Sequence, residues 1–390
     1  MSVRFGIDLF LEEASAYANR KLAFVTNEAA TTTAYTPSRL ALLQRGFAVM
    51  KLFAPEHGLE AIGEDGKQMP DGRDVLTGLP VISLYGNKLR PATIDLVDVD
   101  TIVVDLPDIG CRFYTYLWTL SYLMEACCEA QKKLIVLDRP NPISGRMELI
   151  EGPMLDEAFC ASFIGRWRMP LRASCTMGEL ARFWQNTRFP ALTLTVVPVE
   201  GWQRWQFASD WQPSFIPTSP AMVSAEATQL YPGLGLLEAT NLSEGRGTAT
   251  PFQIAGAPWL SGIWIAEAFN ALRLSGVIAR AITFTPLAGR YKDQLCGGCM
   301  FHVTDKTLFR PVWSILLFIK LVADFYPNEF EWATYPTHVN SSGTHHLDKL
   351  LGIHESEALF AMPMNRFQER VSSLLICTDW IGQIAPFLLY

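Results

Sequence analysis

Short apolar runs alternate with longer amphipathic segments along the first half of the chain. The strand-length runs are Leu22–Thr26, Val49–Phe53, Pro80–Leu84, Thr101–Asp105, Leu134–Leu137 and Leu192–Val197. The segments Ser38–Arg45, Leu117–Gln131 and Met177–Asn186 have the length and spacing of helices, and Thr176 with Glu179 forms a capping-box pattern before the last one. Strands that alternate with helices predict an α/β fold with a doubly wound, mostly parallel sheet.

The second half of the chain has a different pattern. A segment rich in Trp, Pro and Ser, Gly201–Met222, separates it from the first half, and we place the domain boundary there, between residues 1–215 and 216–390. The segments beyond it are the helix candidates Ser261–Leu274, Pro311–Phe325 and Ser356–Ala361 and the strand candidates Ala281–Thr285 and Met300–Thr304. This mixture predicts a smaller α+β domain.

The composition narrows the class of protein. The chain has 390 residues with a net charge of -7 and no basic stripe, which argues against a nucleic-acid partner. The most apolar run, Trp313–Val322, is about half of a membrane span and contains Lys320, so no membrane partner is expected. The N-terminus lacks a signal-like apolar region, and the eight cysteines fit buried thiols of a reducing compartment. We therefore predict a cytoplasmic protein and leave its oligomeric state open.

Polar residues follow five of the predicted strands. They are Asn27, Glu56, His57, Tyr85, Asp105, Asp108, Arg112, Tyr114, Tyr116, Arg139 and Asn141. In open α/β sheets, ligands bind outside the carboxyl ends of the strands, so we expect these side chains to line one cleft. Amides, carboxylates, phenols and arginines suit a carbohydrate that carries a carboxylate. No glycine-rich dinucleotide or phosphate loop is present, so no cofactor is predicted.

Glu56 is the leading acid/base candidate, because a carboxyl group beside His57 and below apolar walls can hold a proton near neutral pH. The alternative is that Glu56 caps a helix or forms a salt bridge. Asp105 and Asp108 could join His57 around a metal ion, but an aspartate at a strand end or in a turn explains them better, so no metal is predicted. The candidate clamps for a substrate carboxylate are Arg112, Arg139, Arg172 and Arg246.

Two further motifs are interpreted as structural. Cys296-Gly297-Gly298-Cys299 has the C-x-x-C spacing, but no thioredoxin-type helix or second cysteine pair accompanies it, so its glycines indicate a bulge or turn. His345-His346 precedes a short helical segment and has no partner at metal-ligand spacing. We expect that pair to lie in a solvated loop.

Five motifs occur in the order of a known family: Pro55–Gly58, Gly78–Gly86, Asp108–Tyr116, Asp138–Pro142 and Glu238–Thr248. Together they resemble the exo-acting β-N-acetylmuramidases, glycoside hydrolases formerly described as a domain of unknown function. The resemblance runs from about Gly6 through the C-terminal domain. It implies a Rossmann-like domain joined to a smaller one, with the active-site cleft between them.

The resemblance also implies an activity and roles for residues. The expected reaction is release of N-acetylmuramic acid from the non-reducing end of peptidoglycan-derived saccharides of the MurNAc-GlcNAc type. Glu56 corresponds to the proposed catalytic glutamate, with His57 as its tuner or a substrate contact. Arg246 and Arg112 are the expected partners of the lactyl carboxylate. Glu238 and Asn241 join the expected substrate contacts through the last motif.

Some positions depart from the family pattern: Glu60, Pro107, Ala173 and Ser174 stand where a basic residue, Gln, His and Gly are expected. These departures put the substrate preference in doubt and leave open a non-catalytic sugar-binding protein with a vestigial site. A metal-dependent hydrolase is a third alternative.

The second catalytic group is not identified by the sequence. The carboxylates of Asp105, Asp108, Glu238 and Glu244 are candidates, the 2-acetamido group of the sugar is another, and Tyr85 or Tyr114 could assist. Whether the anomeric configuration is retained or inverted depends on the distance between the carboxylates, so it also stays open.

Overall fold

The first half of the chain forms a seven-stranded sheet in the computed structural model, which describes residues 2–390. Its strands are β1 (Lys21–Val25), β2 (Ala48–Ala54), β3 (Gly72–Arg73), β4 (Pro80–Ser83), β5 (Thr101–Val104), β6 (Lys133–Leu137) and β7 (Leu194–Val197). Their order is β3-β4-β2-β1-β5-β6-β7, and every neighbouring pair is parallel except β3 with β4. The predicted doubly wound, mostly parallel sheet is confirmed.

Helices cover both faces of this sheet. They are α1 (Gly6–Phe10), α2 (Ser38–Gln44), α3 (Tyr116–Glu129) and α4 (Met177–Arg188). Within β1, Leu22 and Phe24 pack into the cluster that contains α1 and α2, whereas Ala23 and Val25 pack into the cluster that contains α3 and α4. Because successive side chains of a strand point to opposite faces, a run that is apolar throughout is buried on both sides.

The second half contains a three-stranded antiparallel sheet and the remaining helices. The strands are β8 (Ile254–Ala257), β9 (Val277–Phe284) and β10 (Cys296–Val303), in the order β8-β10-β9. The helices are α5 (Ala225–Leu234), α6 (Gly262–Ala271), α7 (Pro311–Phe325), α8 (His346–Leu351), α9 (Met364–Leu375) and α10 (Thr378–Ile384). The predicted α+β character is confirmed, although Ser356–Ala361 is a 3-10 helix.

The C-x-x-C motif lies in β10, and the expected turn is absent from that stretch. Its two glycines are required by close packing: a Cβ on Gly298 would lie 2.0 Å from the carbonyl oxygen of Ala255, and one on Gly297 2.2 Å from that of Leu260. Both contacts are far shorter than van der Waals distance. The motif therefore brings three backbone segments together.

The two halves share one hydrophobic core. The cluster on the α3 face of the sheet continues into α7, with Trp118 and Phe318 both completely buried. The C-terminal segment returns to the first half, where the ring of Trp380 packs 5.4 Å from that of Phe183 and the hydroxyl of Tyr390 donates to Asp138 at 2.7 Å. This packing fixes the position of the second half over the carboxyl edge of the large sheet.

Among residues 2–390, no helix is both long enough and apolar enough to cross a membrane.

Candidate active site

A cavity of about 560 Å³, called the main cavity below, lies at the carboxyl ends of β2 and β4. Residues that follow these strands form its floor, and residues of the second half form the opposite wall. The predicted site residues that line it are Glu56, His57, Tyr85, Tyr114, Glu238 and Arg246. Its size falls within the range of ordinary ligand sites.

Glu56 lies on the floor of the main cavity and is 4% exposed. A turn follows it rather than a helix, so it is not a helix cap. Oε2 accepts a hydrogen bond from Thr115 Oγ1 at 2.7 Å, and Oε1 accepts one from the Gly66 backbone N–H at 3.1 Å. Both bonds hold the carboxyl group in one orientation toward the cavity.

The environment of Glu56 favours its protonated form. Burial raises the pKa of Glu56, and this effect exceeds the opposing electrostatic influence of the neighbouring His57 imidazole. The neighbouring carboxylate of Asp65 raises the pKa further, while the hydrogen bonds from Thr115 and Gly66 lower it. The net direction is upward, which suits a group that must deliver a proton.

His57 adopts a backbone conformation that is uncommon for a residue with a side chain. Its φ angle is 68°, in the left-handed region, and that of the following Gly58 is 77°. His57 Nδ1 lies 2.9 Å from the carbonyl oxygen of Gly63. Because a carbonyl can only accept, Nδ1 carries the proton, and Nε2 is the nitrogen that can accept one from a ligand or neighbour. Such strain concentrates at functional sites.

Asp65 is a member of the site that the sequence did not single out. One donor atom each from Glu56, His57 and Asp65 lie within 4.8 Å of one another. Asp65 Oδ2 accepts a hydrogen bond from the hydroxyl of Tyr335 and lies 3.5 Å from Arg246 Nη2. The three donors are of types that a divalent cation accepts, but the positive charge of Arg246 opposes a cation there.

The pKa of Asp65 is shifted in the opposite direction to that of Glu56. Burial disfavours its charged form, but the positive charge of Arg246 and the hydroxyl of Tyr335 stabilise it, and the pKa of Asp65 falls below its usual value. The side chain remains 30% exposed, toward the main cavity. The pKa values of two neighbouring carboxyl groups are therefore shifted in opposite directions, as in sites that pair an acid with an ionised carboxylate.

Arg246 is surrounded by carboxylates on the opposite wall. Its Nη1 donates to Glu238 at 2.9 Å and to Glu244 at 2.8 Å, in addition to the contact of Nη2 with Asp65. The guanidinium also lies 4.8 Å from the ring of Phe252. Burial alone would lower the pKa of Arg246, but the surrounding negative groups raise it well above its usual value. A ligand carboxylate would have to compete with three carboxylates already present.

His346 was expected in a solvated loop, and the structure corrects this expectation. It is the first residue of α8 and is 5% exposed, whereas His345 is largely exposed. Its ring stacks on Tyr335 with centroids 4.7 Å apart, and Nε2 lies 3.6 Å from Glu238 Oε2. Neither ring nitrogen has a hydrogen-bond partner within the described residues, and the residue lines the main cavity.

Aromatic side chains form a third part of the lining. Tyr85 is 2% exposed and packs 5.2 Å from the ring of Phe163, and the hydroxyl of Tyr114 lies 2.6 Å from Thr218 Oγ1. Burial together with the charge of Glu56 raises the pKa of Tyr85, so its phenol stays protonated. These rings offer apolar faces and hydroxyl groups, the combination by which proteins hold sugar rings.

The remaining predicted arginines have internal partners. Arg112 is completely buried and donates to the backbone carbonyls of Pro153, Met169 and Leu350 at 2.7–2.9 Å. Arg172 is 3% exposed and donates to the carbonyl oxygen of Ile143. The structure thus gives both guanidinium groups a role in packing loops together, away from the main cavity.

The carboxyl ends of β1, β5 and β6 form a separate network. Arg139 pairs with Asp105 through two hydrogen bonds of 2.5 and 2.9 Å. The amides and phenol predicted as contacts also bond internally: Asn27 to Tyr116, Tyr116 to Thr218, Asn141 to Cys175 and Asn241 to Glu329. Strands lie about 4.8 Å apart, so β2 and β6 are separated by about 14 Å, and one ligand site cannot gather every strand end.

Asp108 lines a second, much smaller cavity of about 60 Å³ together with Arg139 and Trp211. Its Oδ2 accepts from the backbone N–H of Gly110 at 2.8 Å, while Oδ1 has no hydrogen-bond partner within the described residues. Burial raises the pKa of Asp108 to about 7. Asp108 therefore does not face the main cavity.

Known proteins are similar to this chain in sequence and in fold. The N-terminal family model of exo-β-N-acetylmuramidase NamZ matches residues 22–226, and the C-terminal model matches residues 229–390. The peptidoglycan β-N-acetylmuramidase NamZ of Bacillus subtilis (strain 168) is 38% identical over 332 residues, which cover 85% of this chain and 80% of that protein.

Two solved structures of DUF1343 family proteins from Bacteroides fragilis NCTC 9343 have the same fold. The first has a TM-score of 0.88 at 27% identity, and the second has a TM-score of 0.74 at 25% identity. Each comparison covers 100% of this chain and 99% of the other. Because the family models cover almost the entire chain, this protein belongs to the NamZ family of exo-β-N-acetylmuramidases.

Proposed function

We propose that this protein releases N-acetylmuramic acid from the non-reducing end of peptidoglycan-derived saccharides of the MurNAc-GlcNAc type, with Glu56 as the general acid. Family membership makes the chain a glycoside hydrolase. The observation that carries the role of Glu56 is its position on the floor of the main cavity, where burial raises its pKa. A proton held there can be donated to the glycosidic oxygen as the bond to the anomeric carbon breaks.

The shape of the main cavity supports a short saccharide as the ligand. Its volume of about 560 Å³ is enough for one or two sugar rings. The rings of Tyr85, Phe163 and Phe252 offer stacking faces, and Tyr114 and His346 add polar groups. The adjacent His57 tunes Glu56 in this proposal, because a positive charge on the imidazole, when it is protonated, lowers the pKa of that carboxyl group.

The lactyl carboxylate of N-acetylmuramic acid needs a positive partner. Arg246 stays the predicted clamp, although Asp65, Glu238 and Glu244 already contact its guanidinium. His346 is a second candidate in our proposal, because its two ring nitrogens have no hydrogen-bond partner within the described residues and it lines the same cavity. Protonated histidine would donate to a carboxylate in either orientation of the ring.

The Glu56→Gln variant tests the role of the acid. Gln keeps the volume of the side chain, so the fold should be preserved while release of 4-nitrophenol from a chromogenic β-muramide falls by about 10²–10⁴-fold. Glu369→Gln is the control, because that carboxylate is on the surface and 70% exposed. A Glu56→Gln enzyme that keeps more than a small fraction of the activity would remove Glu56 from this role. Binding of a MurNAc-GlcNAc disaccharide by the unaltered protein without release of sugar would instead favour the non-catalytic alternative.

We also propose that the protein works in a reducing compartment, with the cytoplasm as the predicted location. All eight cysteines are free, and seven of them are buried. Thiols in this arrangement are typical of proteins that are not stabilised by disulfides. Neither a nucleic acid nor a membrane is part of the proposed function.

A further inference from the structure

We propose that Asp65 is the second catalytic carboxylate: it attacks the anomeric carbon as a nucleophile, so that hydrolysis proceeds with retention of configuration. The inference rests on the proposed function, because it assigns a partner to Glu56 in the same reaction. Asp65 lies in the loop that follows β2, nine residues after Glu56, and shares the main cavity with it.

The distance between the two carboxyl groups supports a retaining mechanism. An oxygen of Glu56 and an oxygen of Asp65 lie within 4.8 Å of each other. Retaining glycosidases have their two carboxyl groups about 5–5.5 Å apart, whereas inverting enzymes need about 6.5–9.5 Å to place a water molecule between carboxylate and sugar. An oxygen–oxygen distance of no more than 4.8 Å is closer to the retaining spacing than to the inverting one.

Asp65 is also more accessible to a ligand than the two other carboxylates that contact Arg246. Its side chain is 30% exposed, compared with 8% for Glu238 and 9% for Glu244, which bind Arg246 more deeply. The contacts of Asp65 with Tyr335 and Arg246 are both made by Oδ2, and Oδ1 takes part in neither. Asp105 is held by Arg139 in the network of the other strand ends, outside the main cavity.

The partners of Asp65 keep it in the reactive form. The hydroxyl of Tyr335 donates to Oδ2, and Arg246 lies 3.5 Å from the same oxygen. Both contacts stabilise a negative charge on Asp65 and lower its pKa, while burial raises the pKa of Glu56. A glycosidase with an acid and a nucleophile needs this difference between two neighbouring carboxyl groups.

The reaction proceeds in two balanced steps. In the first, Asp65 Oδ1 forms a bond to the anomeric carbon, the glycosidic C–O bond breaks, and the proton of Glu56 passes to the departing oxygen, which leaves as an alcohol. In the second, the Glu56 carboxylate takes a proton from water, and the water oxygen attacks the anomeric carbon. The ester bond to Asp65 then breaks, and both carboxyl groups return to their initial states. Two inversions give net retention.

The first test uses the unaltered protein and a defined MurNAc-GlcNAc disaccharide. Proton NMR in the first minutes of the reaction, before mutarotation, should show the β-anomer of free N-acetylmuramic acid. Initial formation of the α-anomer would overturn the proposal while leaving the proposed function intact. No release of sugar at all would overturn the proposed function itself, so the two failures are distinguishable.

The second test locates the nucleophile. Asp65→Gly should lower hydrolysis of a 2,4-dinitrophenyl β-muramide by at least about 10³-fold, and added azide should restore turnover and yield the α-muramyl azide. In Glu56→Gly, azide should give the β-azide, because the covalent intermediate still forms. Glu238→Gly and Glu244→Gly are matched controls from the carboxylates around Arg246, and neither should give an azide product with the α configuration.

Three outcomes would count against Asp65. The isosteric Asp65→Asn variant controls for misfolding of Asp65→Gly and should be as inactive as that variant. Activity of Asp65→Asn within tenfold of the unaltered protein would overturn the assignment. Absence of the α-azide together with a strong rate loss on a 2-trifluoroacetamido substrate would place the 2-acetamido oxygen in the role of nucleophile. Loss of activity on chelation and its recovery with a divalent metal would show that Asp65 and Glu56 hold a cation instead.

Discussion

Replacing Thr115 by Val should shift the pH dependence of catalysis upward. Thr115 Oγ1 donates to Glu56 Oε2 at 2.7 Å, and both residues are buried. Valine has nearly the same shape but no hydroxyl, so the change removes one donor from the carboxylate and little else. Because that donor stabilises the ionised form, its loss raises the pKa of Glu56 above the value in the unaltered protein.

The size of the shift follows from the strength of the lost bond. A hydrogen bond to a charged group contributes about 1.5–3 kcal/mol, and 1.36 kcal/mol corresponds to one pH unit. The basic limb of kcat/KM, which reports the protonated acid of the free enzyme, should therefore move upward by about 1–2 pH units. The assay is release of 4-nitrophenol from the chromogenic muramide between pH 4 and pH 10.

Replacing Thr115 by Val should also change how the free energy of unfolding depends on pH. The folded-state pKa of Glu56 is raised above its ordinary value, so the native state binds more protons than the unfolded state between those two values. Stability consequently falls as pH rises through that window and is level above it. In Thr115→Val this pH window extends to higher pH. In urea unfolding, the variant should therefore be less stable than the unaltered protein, and the difference should be larger at pH 8 than at pH 5.

Thr115→Ser is the matched control, because it keeps the hydroxyl and should leave the basic limb within about 0.3 pH units of its original position. A basic limb that stays in place in Thr115→Val, in a protein that is otherwise folded and active, would refute the reasoning. It would mean that the group controlling this limb is not Glu56.

Three further changes test the electrostatics of the fold. In Glu56→Gln, the amide can accept a hydrogen bond from the Gly66 N–H and donate one to the Thr115 hydroxyl. The free energy of unfolding at pH 8 should therefore be no lower than in the unaltered protein, and a clearly lower value in urea unfolding would contradict this. Arg246→Met leaves three carboxylates without their cation and should cost about 3–5 kcal/mol in urea at pH 7, whereas a loss below 1 kcal/mol would contradict the ion-pair cluster. Burial raises the pKa of Asp108 to about 7, so the free energy of unfolding should fall by up to about 4 kcal/mol between pH 4 and pH 7. Asp108→Asn should make the free energy of unfolding less dependent on pH in unfolding curves measured across this range.

The sheet and its helices were predictable because their sequence signal is local. A strand such as β5 is buried along its whole length and reads as an unbroken apolar run. The start of α4 was equally clear, since Thr176 accepts from the Glu179 N–H and Glu179 accepts from the Thr176 N–H. Such patterns depend on neighbours in the chain and not on the tertiary structure.

The site was predictable only where it lies at strand ends. Glu56 and His57 follow a buried strand directly, so their place at the carboxyl edge could be inferred. Asp65 gives no such signal, because Glu64-Asp65-Gly66 reads as an ordinary turn. Its importance comes from Tyr335, a residue 270 positions away that is brought to it by tertiary structure.

Arg112 was predicted as a substrate contact, but the structure uses it in packing. Arg112 has the sequence context of a substrate clamp, yet its donors are taken by three buried backbone carbonyls. Burial without a carboxylate partner lowers the pKa of Arg112 to about 10, which is the direction expected for a guanidinium used in packing. Local sequence cannot distinguish this role from ligand binding, because the carbonyls come from three distant segments.

The opposite pKa shifts of Glu56 and Asp65 depend on contact between the two halves of the chain. Both carboxyl groups belong to the first half. Of the groups that stabilise a negative charge on Asp65, Arg246 and Tyr335 belong to the second half and His57 belongs to the first. Without Arg246 and Tyr335, two of the influences that lower the pKa of Asp65 would be lost, and burial would act on it as it acts on Glu56. In our proposal the loop after β2 supplies both carboxyl groups, and Arg246 and Tyr335 from the second half lower the pKa of Asp65, so the proposed chemistry depends on both parts of the chain.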